Sequence, residues 1–229
     1  MATSPDAVRV ELAAITSAAA ADMAAEIATA PVETRLDTLL QALPLIVPTY
    51  YDAAGLLAVS WYDELRDEAA PTSAYIPEII GDPTTDWIER EIAKFRLDVE
   101  ADFEAEVQRM TKEAARLAEK EIARGFRDSV LGNARTDDEA IGWSRVARPG
   151  ACKFCRMLAD KGAVYRSEST ATFGAHTDCH CAARPEFRNG EHGPEASAMQ
   201  YLASQKRRTD ADRAKLRAYL NTNYPDLPG

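Results

Sequence analysis

The sequence predicts a mainly α chain: a helical N-terminal region with a long central helix, then a small α+β module rich in cysteine and histidine, then a C-terminal helix. Three observations carry this. Alanine is abundant while glycine numbers only 11 in 229 residues, which favours helix over sheet. Apolar residues recur at steps of three and four over long stretches. All 4 cysteines fall between Cys152 and Cys181. The division that follows is 1–83 for the N-terminal helical region and linker, 84–134 for the long helix, 135–190 for the cysteine–histidine module and 191–229 for the C-terminal helix and tail.

Residues 5–29 carry Val8, Val10, Leu12, Ile15, Met23 and Ile27 at roughly helical spacing, with Pro5 suited to a first turn and Pro31 ending the pattern. Residues 33–43 read as a second, short helix closed by Pro44. A third runs from Thr49 to Ala69, where Tyr50, Ala54, Leu57, Trp61 and Leu65 repeat. Pro71, Pro77 and Pro83 make the next stretch a linker. Asp86, with Glu89 three residues on, caps the long helix. Its stripe is Ile88, Ile92, Phe95, Val99, Phe103, Val107, Met110, Ala114 and Leu117, continuing to Phe126 and Val130. That is roughly 45 residues or ~65 Å of helix, with Gly125 and Gly132 as weak points. Such a stripe needs a partner, either the N-terminal helices or another chain. The acids between Glu100 and Glu106 read as a solvated face. Thr136-Asp137-Asp138-Glu139 has capping-box spacing and predicts a short helix through Trp143. Met199 to Leu220 reads as the last helix, with Lys206-Arg207-Arg208 as surface charge at its middle, followed by a mobile tail from Tyr224.

The net charge of −10 argues against wholesale coating of DNA or anionic lipid. The charge is uneven, however. Between Trp143 and Asn189 eight bases, including Arg145, Arg148, Arg184 and Arg188, face four acids, so this segment is +4 and the remainder −14. No basic flank precedes an apolar run at the N-terminus, as a secretory signal requires. No stretch approaches the ~18–20 apolar residues of a membrane span. A protein made in a cytoplasm is expected.

The cysteines form Cys152-x-x-Cys155, followed by His176-x-x-Cys179-His180-Cys181. A C-x-x-C pair lets two thiolates reach one ion from a tight turn, and a second pair from a distant turn completes a tetrahedron. Thiolate with imidazole is the habitual donor set of zinc. Cys152 and Cys155 are the first pair. His176 with Cys179 or Cys181 is the preferred second pair, and a site of four cysteines is the alternative. His180 lies between two candidates and is expected to point away, and His192 to have no part. Two disulfides lack an export signal to support them, and a thioredoxin-like redox pair lacks its βαβ context. With four good ligands and no H-E-x-x-H motif, or H-x-E before the C-x-x-C, the zinc is expected to be structural and closed. The module's core would use Phe154, Met157, Leu158, Val164, Tyr165, Phe173 and Phe187, with Gly162 to Tyr165 turning into a short strand.

Several of these runs belong together: Trp143-Ser144-Arg145-Val146-Ala147, Cys152-Lys153-Phe154-Cys155-Arg156-Met157-Leu158, Lys161-Gly162-Ala163-Val164-Tyr165, and His176 to Cys181 with Pro185 and Phe187 after them. Over residues 135–190 the chain resembles the MuF-like minor head proteins of tailed bacteriophages, especially the form found in phages of actinobacteria. The resemblance implies a low-copy component inside the capsid near the portal, active in head morphogenesis, present in the host cytoplasm during assembly and capable of leaving with the DNA. The portal or the major capsid protein would be its partner, with self-association through the long helix and a weak DNA contact through the +4 segment. Some relatives are fused to a capsid maturation protease, so a protease or a zinc-containing nuclease is the alternative, with His180 or His192 as general base. No G-x-S-x-G occurs, and a non-enzymatic role is favoured.

Overall fold

The computed structural model describes residues 2–83, 90–91, 102–148, 150–160, 165, 181–189 and 209–228. Alanine-rich sequence with a buried residue every third or fourth position produces three long helices: α1 (Pro5–Thr29), α2 (Arg35–Glu68, after a 3-10 turn at Val32–Thr34) and α3 (Phe103–Thr136). Ser4 caps α1, its side chain accepting from the amide of Ala7 at 3.2 Å. Val8, Leu12, Thr16, Ala19, Met23 and Ile27 form its buried stripe, while Val10 faces solvent. α2 lies along α3, and α1 packs against both. Small residues such as Ala54, Ala58, Ala114 and Ala118 let the axes approach, and Trp61 and Phe126 fill the centre with ring centroids 6.1 Å apart. Among the described residues, the buried stripe of α3 is covered by α1 and α2.

The two helices expected at 33–43 and 49–69 are one. Pro44 and Pro48 lie inside α2 and remove the amides that would bond to the carbonyls of Leu40 and Pro44. Packing overrides the loss, because Leu39, Leu43, Val47 and Tyr51 fall on one face across both prolines and are all buried. The beginning of the long helix was placed at Asp86, which, with Ile88, Ile92, Phe95 and Val99, lies outside the described residues. Asp102 instead caps α3, its side chain accepting from the Ala105 amide at 3.0 Å. Phe103 is 42% exposed and does not join the stripe, whereas Glu106 is 4% exposed and bonds Arg109 rather than water. α3 continues unbroken through Gly125 and Gly132.

Those glycines are points of close approach. A Cβ on Gly125 would stand 2.7 Å from the backbone oxygen of Tyr51 in α2. Gly125→Ala is therefore expected to destabilise by about 1–3 kcal/mol in urea denaturation, although alanine is the better helix former by ~1 kcal/mol. An unchanged or raised midpoint would mean that α2 and α3 can separate slightly without cost.

The helix expected at 136–143 is absent, because each residue of the capping pattern is used elsewhere. The Thr136 hydroxyl bonds back to Gly132 within α3, Asp137 ion-pairs with Arg66, and the Glu139 carboxylate takes both the amide and the hydroxyl of Thr72. The chain then enters β1 (Ala140–Val146), which pairs antiparallel with β2 (Ala182–Phe187) after an irregularity at Gly142. Trp143 exchanges both backbone hydrogen bonds with Tyr165 on its other edge, at 2.9 and 2.7 Å. It sits opposite Pro185, so the missing proline amide costs no ladder bond. Among the described residues the chain also forms α4 (Lys153–Asp160) and α5 (Asp210–Asn223).

Tyr165 and Phe187, expected in a separate module core, join the helical core instead: Tyr165 stacks on Trp143 and Phe187 meets Tyr62 edge-on. Pro5–Thr29 and Val32–Glu68 are long and apolar enough, by length and composition, to cross a membrane, contrary to the expectation of no such stretch. In Pro5–Thr29 alanine supplies much of that apolarity; in Val32–Glu68 leucine, isoleucine and valine supply it, with Leu39, Leu43 and Val47 packed into the core and Leu45 and Leu56 exposed.

Candidate metal centre

After β1 the chain turns through Arg148 and Gly150, the latter in the left-handed region at φ 71°, with the Ala151 amide bonded to the Arg148 carbonyl at 3.0 Å. That turn delivers Cys152 to the start of α4. Cys152 acts as its cap, the sulfur accepting from the Cys155 amide, three residues on, at 3.5 Å. A sulfur so placed gains from the positive end of the helix, which favours the thiolate. Cys155 is buried, and Arg145 on β1 donates to its Sγ from Nη1 at 3.7 Å. Cys181 is the last residue before β2 and is also buried. Cys155 and Cys181 form a small cluster with Ala147, Ala151 and Ala159, distinct from the helical core, and Cys152 packs against it.

Of the five expected ligands, Cys155 and Cys181 thus share one packed apolar cluster and Cys152 packs against it. His176 and Cys179 lie outside the described residues, as do His180, His192, Phe173, Gly162 to Val164 and the Lys206-Arg207-Arg208 triplet. Among the described residues no three potential ligands stand close enough to form a metal site, and no disulfide joins the three cysteines.

Two bases counted toward a DNA-facing surface are internal. Arg145 reaches Cys155, and Arg184 bonds Glu186 at 2.7 Å, with Ser144 on the same carboxylate; all five residues are buried. The alternation of Arg184 and Glu186 on β2 puts both on one face, a cue present in the sequence; nothing there pointed from Arg145 to a thiol. Nor is the tail loose. The Pro228 carbonyl accepts from the amide of Lys153 at 2.9 Å, satisfying an orphan donor at the first turn of α4, and the Lys153 ammonium reaches Asn221 at 2.8 Å. Tyr224 bonds Asp160, and burial together with that carboxylate pushes its pKa up to about 12. α5 itself starts at Asp210 behind a Thr209–Asp212 capping box, later than the expected Met199, which lies outside the described residues.

No curated protein and no solved structure matches the chain. Residues 1–205, spanning the three long helices, both strands and the cysteine segment, match the VG15 protein family. The match covers the helical core and the cysteine turn together, and the chain belongs to the VG15 family of viral (phage) proteins.

Proposed function

We propose that this chain is a minor head protein of a tailed bacteriophage, of the MuF-like kind, held inside the capsid near the portal during head morphogenesis, with a structural zinc in residues 135–190. The observation that supports the reading is that Cys155 and Cys181 share one small apolar cluster, with Cys152 packed against it, distinct from the helical core. Membership of a phage protein family across most of the chain supports the setting, which is the virion or the host cytoplasm during infection.

The donors suit zinc. A helix N-terminus and the Arg145 guanidinium both favour thiolates at Cys152 and Cys155. His176, with Cys181 or Cys179, would complete four ligands, and the ion would supply a fixed cross-link between α4 and the start of β2. The portal or the major capsid protein is the proposed partner, and exposed Leu45, Leu56 and Ile76 offer apolar surface for it. With Arg145 and Arg184 internal, any DNA contact falls to bases such as Arg148, Arg156 and Arg188, and stays a minor part of the proposal.

Quantitative mass spectrometry of purified virions, counting this chain against the portal, tests the reading. A few to a few tens of copies per particle is the expected result, as an order of magnitude for a low-copy component. Absence from virions overturns it and moves the weight to a transient maturation enzyme.

A further inference from the structure

Between α1, the middle of α3 and the loop after β1 lies a cleft of about 450 Å³, lined among others by Arg9, Thr16, Ser17, Glu119 and Arg148. Arg9 bonds Asp6 at 2.6 Å through Nη2, yet its Nε is buried and has no hydrogen-bond partner. Arg148 and Glu119 are both half-buried, and neither side chain makes a hydrogen bond or ion pair with any described residue. A buried N–H without an acceptor is uncommon in a folded chain and marks a place that a ligand or ordered water completes. Two guanidinium groups beside the Ser17 hydroxyl suit an oxyanion. Thr16 already donates to the Ala13 carbonyl at 3.0 Å, so its oxygen is left to accept.

Glu119 restricts which oxyanion fits. An ionised carboxylate only accepts hydrogen bonds. It repels sulfate or a nucleic-acid phosphodiester, which carry no proton near neutral pH, and accepts from an oxyanion that keeps one. We propose that the cleft binds a protonated phosphate group, either free hydrogen phosphate or a phosphate monoester, with Arg9 and Arg148 on its oxygens and Glu119 taking its proton as a hydrogen bond.

Calorimetric titration of the full chain at about pH 6, near the second pKa of a phosphate monoester, reads this directly. Inorganic phosphate is expected to bind at least about tenfold more tightly than sulfate. Arg148→Ala is expected to weaken phosphate by a similar factor with an unchanged Tm, because the turn uses only the backbone carbonyl of Arg148. Glu119→Gln is expected to bring sulfate to within about threefold of phosphate, since the amide can donate. A nucleoside monophosphate that competes as well as phosphate identifies a monoester as the ligand; one that does not identifies free hydrogen phosphate. No phosphate binding, equal binding of sulfate by the unaltered chain, or a Glu119→Gln variant with unchanged preference overturns the proposal.

Discussion

Asp137→Ala is expected to cost about 3–5 kcal/mol of stability, because it leaves a buried guanidinium without its counter-charge. Arg66 and Asp137 are both almost completely buried, with Nε 2.8 Å from Oδ2 and Nη2 3.4 Å from Oδ1. Arg66 spends its other Nη2 bond on the Ser73 carbonyl at 2.8 Å, and the Tyr62 hydroxyl donates to the same carboxylate at 3.2 Å. Burial, reinforced by Asp137, drives the pKa of that hydroxyl far above its ordinary value, so it stays a donor at any accessible pH. Asp137 also follows the C-terminus of α3, where the helix dipole disfavours an acid, so the arginine offsets two costs together. Urea denaturation of Asp137→Ala, Arg66→Met and the double variant separates the terms. The double variant is expected to recover much of the loss, since a paired deletion leaves no unpaired charge. A single-variant loss below about 1 kcal/mol would mean that water reaches the site and the pair behaves as a surface bridge.

The second large effect concerns the proposed metal. Purified chain is expected to hold one zinc, and to lose it when Cys152 or Cys155 becomes alanine. A structural site of this type contributes on the order of 10 kcal/mol to the elements it joins. Because the cysteine cluster is distinct from the helical core, the loss should be local. Hydrogen exchange is expected to rise through α4 and the start of β2 while α1, α2 and α3 keep their protection. Cys181 shares the apolar cluster with Cys155, so Cys181→Ala is expected to release metal if it is the fourth ligand, and Cys179→Ala if Cys179 is. Full zinc content in the Cys152→Ala and Cys155→Ala variants, or its absence from unaltered protein, would remove the metal from the proposal without touching the fold.

These two sites differ in how visible they are from sequence. The cysteine turn announces itself by spacing, because a C-x-x-C pair is local and its geometry follows from one turn of backbone. The first helix is equally legible, since Val8, Leu12, Met23 and Ile27 repeat between two prolines that punctuate them. The Arg66–Asp137 pair is invisible, because a bond between residues 71 positions apart leaves no periodic trace. Local signals also mislead when a distant partner outbids them. Thr136, Asp137 and Glu139 have capping spacing, yet Tyr75, Arg66 and Thr72 occupy their side chains, and a strand follows. Pro44 and Pro48 read as a break for the same reason: the buried face that holds α2 together depends on α1 and α3.

That dependence has a kinetic side. A helix whose first half carries two prolines cannot nucleate there, since each ring removes the amide on which propagation relies. The stretch from Tyr51 to Glu68 has no such handicap and faces the same α3 residues that hold Trp61 and Phe126 together. Docking of that half on α3 is the expected nucleus, with the turns around Pro44 expected to form late, on a surface already built. Cavities introduced at Leu39 or Leu43 would then hasten unfolding while hardly slowing refolding, whereas cavities at Trp61 or Phe126 would slow refolding itself. The chain's residence time in the folded state is set at one end of α2, and the speed of reaching it at the other.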